Sequence, residues 1–155
     1  MPGTIDTRLQ ELGITLPAAA APVANYVGWV RTGNLVVVSG QIPFRDGKVA
    51  CTGKVGEGVE VAAAQDAARL CLINVLAQLR DACGGDLDQV RRVVRLGGFI
   101  ASPPGFTQHA AVMNGASDLA VAVFGDAGRH ARSTIGVPAL PLDAAVEVEG
   151  MFEVA

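Results

Sequence analysis

The longest regular pattern in the chain is VAAAQDAARLCLINVLAQLRDAC, which runs from residue 61 to residue 83. Apolar side chains recur in it every three or four residues, the spacing that places them along one side of an α-helix. These side chains are Val61, Ala64, Ala68, Leu72, Val75 and Leu79. Gly84 and Gly85 follow, and glycine commonly terminates helices. The pattern predicts a helix from Glu60 to about Cys83 that packs one face against a sheet.

Two further apolar residues of this helix, Leu70 and Ile73, lie off that line of side chains. A helix that is apolar beyond its sheet-facing side usually contacts a second surface, and another subunit is one candidate for it. The strand pattern Leu35–Val38 raises the same expectation, because it has little polar alternation and so predicts a sheet covered on both faces. We therefore expect the chain to associate with itself.

Strand patterns lie on both sides of the helix. Before it, Gly33-Asn34 and Asp46-Gly47 are typical turn sequences, and the first of them predicts a hairpin. After it, Gly125 ends a second predicted helix. The predicted elements are a short leading helix over residues 5–15, strands at Tyr26–Arg31, Leu35–Ser39 and Lys48–Cys51, a strand at Val90–Ile100, a helix at Phe106–Phe124, and strands at Arg132–Val137 and Ala144–Val154. This order predicts a single α+β domain over residues 1–155, with two helices on one face of a mixed or mainly antiparallel sheet.

Composition excludes several classes of protein. The chain has 155 residues, of which half are hydrophobic and 17% charged, and this excludes intrinsic disorder. No apolar run approaches the roughly 18 residues of a membrane-spanning helix. A net charge of −3 disfavours binding of nucleic-acid backbones.

Cofactor and metal signals are also missing from the sequence. Three cysteines without CxxC spacing favour a reduced, cytoplasmic protein, and two histidines are too few and too far apart to suggest a metal site. No phosphate-binding loop or dinucleotide fingerprint occurs, so we expect no cofactor.

The C-terminal segment carries the strongest candidates for chemistry. Pro138-Ala139-Leu140-Pro141 is symmetric, and antiparallel pairing about its centre would place Arg132 opposite Glu147. In one interpretation the pair is an ion pair at the rim of an exposed sheet face. In the other, Arg132 binds a small carboxylic acid through its guanidinium fork and Glu147 orients a water molecule.

Other polar residues allow two interpretations each. Tyr26 fits a core or interface position as well as a ligand site. Ser39-Gly40 offers a hydroxyl and a backbone N–H, although turn chemistry explains the pair equally well. Asn114 would contact a ligand or cap a helix. His130 is a candidate general base or a loop histidine.

Two motifs together resemble the YjgF, or Rid (reactive intermediate deaminase), family. The first is GNLVVVSGQIP at residues 33–43, followed by Asn74-Val75 on the helix. The second is Ala131-Arg132-Ser133, followed by Leu140-Pro141 and residues 146–149, VEVE. Tyr26 stands at the family's distance before Gly33. The resemblance extends from about Val23 to the C-terminus and leaves residues 1–22 as an N-terminal extension.

This resemblance implies a chorismate-mutase-like fold and a homotrimer with ligand clefts between subunits. It implies hydrolysis of 2-imino or enamine acids to 2-keto acids and ammonia, without metal or cofactor. By the same resemblance, Arg132 would bind the substrate carboxylate and Glu147 would position the attacking water. The cleft would be lined by Tyr26, Ser39, Gly40, Asn114 and Thr134. Thr134 departs from the family pattern, since many members carry cysteine there.

Two other functions compete with this prediction. One is a non-catalytic trimer that senses a small carboxylate at the same cleft. The other is ribonuclease or translation-inhibitor activity, a name that the family carries. The acidic isoelectric point of about 5.3 and the absence of a basic, aromatic surface pattern argue against the second function.

Overall fold

The computed structural model describes residues 3–21 and 24–155. Met1, Pro2 and Pro22 of the predicted N-terminal extension, and Val23 at the start of the family resemblance, lie outside the described residues. The elements in chain order are α1 (Thr4–Glu11), β1 (Trp29–Thr32), β2 (Leu35–Gln41), β3 (Phe44–Arg45), β4 (Lys48–Val49), β5 (Lys54–Val55), β6 (Gly58–Val59), α2 (Val61–Ala82), β7 (Val90–Ala101), α3 (His109–Phe124), β8 (Ala131–Val137) and β9 (Val146–Val154).

Five strands form the main sheet, in the order β1-β2-β9-β7-β8. The pairs β1–β2, β2–β9 and β9–β7 are antiparallel, whereas β8 runs parallel to β7. The sheet is therefore mixed, as predicted. Strands β3 and β4 form a small separate hairpin, and Asp46 and Gly47 at its turn both have positive φ, as the sequence predicts for a tight turn.

Helices α2 and α3 lie side by side on one face of the sheet, which confirms the predicted layering. Their inward side chains meet the inward residues of the sheet strands in one hydrophobic core. Fully buried residues with large side chains include Leu72, Leu76, Leu79, Leu96, Ile100, Met113 and Phe152. The short helix α1 packs against α3. Among the described residues, no helix is long and apolar enough to cross a membrane.

The predicted C-terminal hairpin is wrong. Strand β8 pairs only with β7, and β9 lies between β2 and β7. The connection from β8 to β9 passes the end of β7, where Ser102 N–H donates to the Val137 carbonyl and Ala101 N–H donates to the Ala145 carbonyl. The end of β7 thus separates the two strands whose pairing the Pro138–Pro141 symmetry predicted, so Arg132 and Glu147 are not cross-strand partners.

The chain itself covers the outer side of α2. Leu70 is only 7% exposed in the single chain, so it needs no second subunit. Ile14 and Leu16 join the hydrophobic core, and further along this segment the Ala20 carbonyl accepts a hydrogen bond from Gln78 Nε2 at 2.9 Å. Residues 14–20 therefore cover part of α2 near Gln78.

Two predicted elements begin three residues later in the structure. Strand β1 begins at Trp29 rather than at Tyr26, and Tyr26 lies in a bend before it. Helix α3 begins at His109 rather than at Phe106. In both cases the extra residues belong to the loop that precedes the element.

Candidate functional site

Helix α3 holds the guanidinium group of Arg132 through three neutral acceptors. Arg132 Nη1 donates to Asn114 Oδ1 at 2.8 Å and to Ser117 Oγ at 3.0 Å, and Nη2 donates to the Ala110 carbonyl at 3.4 Å. Positions 110, 114 and 117 follow one face of a helix because they are four and three residues apart. Strand β8 runs beside this face and brings Arg132 to it.

His130 extends this group of residues. Its Nε2 lies 2.9 Å from Ser117 Oγ, and its Nδ1 lies 2.6 Å from the Gly128 carbonyl oxygen. Ser117 therefore contacts both His130 and Arg132. We call these residues the arginine cluster: Asn114, Ser117, His130 and Arg132.

Thr134 lies two residues beyond Arg132 and on the same face of β8, because side chains alternate along a strand. It pairs with Gly98, and its hydroxyl oxygen is buried without a hydrogen-bond partner among the described residues. The hydroxyl therefore has a free donor beside the arginine cluster.

Glu147 lies on the sheet face that points away from α2 and α3, which we call the open face. Its neighbours Val146 and Val148 are completely buried on the helix side, and Glu147 itself is half-buried. Burial raises the pKa of the Glu147 carboxyl above its ordinary value, and the negative charge of Glu149 raises the pKa further.

Gly40 lies beside this carboxylate and directly follows Ser39, at an irregularity in the pairing of β2 with β9. A Cβ atom at Gly40 would overlap the Glu147 carboxylate, so glycine allows the close approach. Ser39 is held by the chain segment before β1: its hydroxyl donates to the Val27 carbonyl at 2.6 Å, and its N–H donates to the Gly28 carbonyl at 2.9 Å. Tyr26, which adjoins this segment, is 55% exposed, which excludes the core position considered for it.

Within one chain, Arg132 and Glu147 lie on opposite faces of the sheet. Arg132 pairs with Leu96 of β7, whereas Glu147 pairs with Phe99. Residues three apart on a strand point to opposite faces. The structure therefore forms two groups, the arginine cluster with Thr134 on one side and Glu147 with Ser39 and Gly40 on the other.

The sequence did not single out Ser117. Its spacing of three residues from Asn114 on a predicted helix was the available signal, since residues at that spacing share a helix face. Asn114 lies in the middle of α3 and contacts Arg132, so the capping role considered for it is wrong.

Other reactive groups lie apart from these residues. Cys71 is completely buried in the hydrophobic core, and burial raises the pKa of its thiol well above the ordinary value. No group of three metal-binding side chains is close enough to hold an ion in the part of the chain that the structure describes.

Comparisons with known proteins agree with this architecture. The protein TCP17 of Trypanosoma cruzi is 49% identical over 152 residues, which cover 97% of this chain and 94% of that protein. The crystal structure of Atu1372 from Agrobacterium tumefaciens, a protein of unknown function, superposes with a TM-score of 0.92 at 50% identity and covers 97% of this chain and 92% of that one. A putative endoribonuclease from Shewanella oneidensis gives a TM-score of 0.94 at 34% identity, over 98% and 100% of the two chains.

A more distant structure, Escherichia coli TdcF with bound serine, has a TM-score of 0.62 at 25% identity and covers 92% of this chain and 97% of that one. The family model that matches this chain is described as YjgF/chorismate mutase-like, putative endoribonuclease, and its match extends over residues 6–154. With the mixed sheet, the paired helices and this match over nearly the whole chain, the protein belongs to the YjgF/chorismate mutase-like family.

Proposed function

We propose that this protein hydrolyses reactive 2-imino acids, and their enamine tautomers, to 2-keto acids and ammonia. Arg132 binds the substrate carboxylate, and Glu147 positions the attacking water. Tyr26, Ser39, Gly40, Asn114 and Thr134 line the same cleft. No metal or cofactor takes part, because an iminium carbon is already electrophilic.

The observation that carries the proposal is the uncompensated charge of Arg132. All three of its hydrogen-bond acceptors are neutral, and no carboxylate pairs with it among the described residues. A half-buried cation held by neutral groups still lacks its counter-ion, and a guanidinium fork matches a carboxylate. The serine bound to TdcF is likewise a small molecule with a carboxylate.

The chemistry requires one water molecule and one proton carrier. The water oxygen attacks the iminium carbon while Glu147 accepts a proton from it, and the C=N π electrons move to nitrogen. Glu147 then returns the proton to the amine of the tetrahedral intermediate, which becomes an ammonium group. As the C–N bond breaks, ammonia leaves with the bonding electrons, the hydroxyl gives its proton to Glu147, and a 2-keto acid remains. A carboxyl with a raised pKa suits this exchange, since its carboxylate is a stronger base than an ordinary glutamate.

Two copies of the chain are needed to assemble this cleft, because Arg132 and Glu147 lie on opposite faces within one copy. The open face supports such an assembly. It exposes Val30 (52%), Val37 (38%) and Ile135 (52%), and these apolar side chains lie on the same face as Glu147. We propose a homotrimer in which the Arg132 side of one subunit meets the Glu147 side of the next.

The test uses imino acids generated in solution by an amino acid oxidase, with release of the 2-keto acid followed over time. We expect the purified protein to accelerate release and Arg132→Ala to lose at least about 100-fold in rate, since it removes a charge-assisted bidentate contact. Arg129→Ala is the matched control, because Arg129 is exposed and three residues upstream. No acceleration by the wild-type protein would refute deamination.

Two further measurements on the same purified protein test carboxylate sensing and RNA cleavage, the two competing functions. If a small 2-keto acid binds and raises the melting temperature while no imine is hydrolysed, the protein is a carboxylate-binding module instead. RNA cleavage that persists in a highly purified Arg132→Ala sample would instead support the endoribonuclease activity named for the Shewanella oneidensis relative.

A further inference from the structure

We propose that Ser117 and His130 are positioning residues that fix the orientation of the Arg132 guanidinium and leave its Nε edge free for the substrate carboxylate. This inference rests on the proposed function for its ligand, although the geometry of the three residues does not depend on it. Neither Ser117 nor His130 touches the substrate in this proposal; both act through Arg132.

The tautomer of the neutral His130 ring follows from its partners. The Gly128 carbonyl oxygen can only accept, so Nδ1 of His130, which lies 2.6 Å from it, carries a proton. In the neutral ring Nε2 is then an acceptor. The Ser117 hydroxyl, at 2.9 Å from Nε2, donates its proton there.

Ser117 thereby becomes an acceptor for the arginine. Because its only proton points at His130, its oxygen lone pairs face the Nη1 group of Arg132, which donates to it at 3.0 Å. The hydrogen bonds form a single chain from Arg132 through Ser117 and His130 to the Gly128 backbone. Without the neutral ring, the serine hydroxyl could rotate and stop accepting from Arg132.

Some N–H donors of the Arg132 guanidinium remain for a ligand. A guanidinium has five N–H donors. Asn114 and Ser117 take both protons of Nη1, and the Ala110 carbonyl takes one of Nη2. The proton on Nε and the second proton on Nη2 have no acceptor among the described residues. One Nη2 proton lies on the same edge of the planar group as the Nε proton. With the Ala110 carbonyl assigned to the other Nη2 proton, these two form a fork for the two oxygens of a carboxylate.

The first test reads the arginine directly and requires no substrate. Nitrogen NMR of the full chain reports the rotation that exchanges Nη1 and Nη2 of Arg132. We expect slow rotation in the wild type and rotation several-fold faster in Ser117→Ala, with slow rotation restored in Ser117→Thr, which keeps the hydroxyl. Ser102→Ala is the matched control, because that hydroxyl donates only to the Ile100 carbonyl at the far end of β7. Equal rotation in wild type and Ser117→Ala would overturn the proposal.

The second test measures binding of 2-oxobutanoate, a stable 2-keto acid. We expect the Kd to rise about 3- to 10-fold in Ser117→Ala and in His130→Ala, the loss typical of one net hydrogen bond. His130→Gln, which keeps an acceptor near the Nε2 position, should lose less. The double variant should match Ser117→Ala alone, because both residues act through one chain. Additive losses would show that His130 acts separately and would contradict the chain.

The two tests separate this inference from the proposed function. If the wild-type protein binds no 2-keto acid, the proposed function is wrong, and the NMR result alone decides whether Ser117 fixes Arg132. If the wild type binds the acid and the variants bind it equally well, the positioning role is wrong while carboxylate binding stands.

Discussion

Single residues in this protein carry charges that no opposite charge among the described residues neutralises. Arg132 is surrounded by neutral acceptors on the helix side of the sheet. On the open face, Glu147 has Glu149 as its charged neighbour, and the two carboxylates repel each other. Both arrangements cost free energy in the isolated chain, since a half-buried charge without a counter-ion is unfavourable. Such costs are typical of binding and catalytic sites.

The raised pKa of Glu147 predicts a stability effect with a definite sign. The folded protein holds the Glu147 proton more tightly than the unfolded chain, so stability falls as pH rises from the ordinary glutamate pKa to the raised value. We expect Glu147→Gln to be more stable than the wild type at pH 7.5, whereas the difference should vanish near pH 4. Urea denaturation at both values measures this. A variant less stable at pH 7.5 would contradict burial as the cause of the raised pKa.

Glu149 provides a separate prediction for activity. Because its charge contributes to the raised pKa of Glu147, Glu149→Gln should lower that pKa and move the acidic limb of the pH–rate profile to lower pH. Glu153→Gln, farther along the same strand, is the matched control. An unmoved acidic limb in Glu149→Gln would show that Glu147 does not control the rate.

The buried hydroxyl of Thr134 predicts opposite effects on stability and activity. Because its oxygen has no described partner, Thr134→Val should leave the free energy of unfolding unchanged or raise it by up to about 1 kcal/mol. If the hydroxyl contacts substrate, kcat/KM falls in the same variant. Thermal unfolding and imine hydrolysis measure the two effects. A loss of stability would reveal a partner for the hydroxyl.

At the scale of elements, local sequence patterns predicted a helix and turns correctly, whereas the pairing of the two C-terminal strands was predicted wrongly. The α2 periodicity, the Gly33-Asn34 turn and the Asp46-Gly47 turn are local features, and the structure confirms them. The C-terminal pairing failed because strand partners are chosen by the whole sheet, and β7 lies between β8 and β9. The arginine cluster was not predicted for the same reason. Ser117 lies beside Arg132 only because the chain crosses from β7 through α3 to β8.

Gly115 shows how one helix crossing constrains the sequence. As a helix-interior glycine it predicts a weakened α3, yet a Cβ atom there would overlap the backbone carbonyl of Gln65 on α2. We expect Gly115→Ala to lower the free energy of unfolding by about 1–3 kcal/mol, because α2 and α3 would have to separate. Gly105→Ala is the control, since nothing lies within 4 Å of a Cβ atom there. Equal urea midpoints for the two variants would contradict tight helix packing.

At the scale of the whole molecule, the proposed cleft between copies predicts that two inactive variants complement each other. In a random mixture of Arg132→Ala and Glu147→Gln subunits, a site is intact only when its arginine comes from a Glu147→Gln subunit and its glutamate from an Arg132→Ala subunit. Each condition holds for half the subunits in an equal mixture, so about one quarter of the sites should recover. Each variant alone should remain inactive. Imine hydrolysis after joint refolding measures this recovery, and native mass spectrometry confirms that mixed oligomers have formed. If mixed trimers form and no activity returns, Arg132 and Glu147 do not belong to one cleft. The two faces of the sheet on which they lie then carry separate sites.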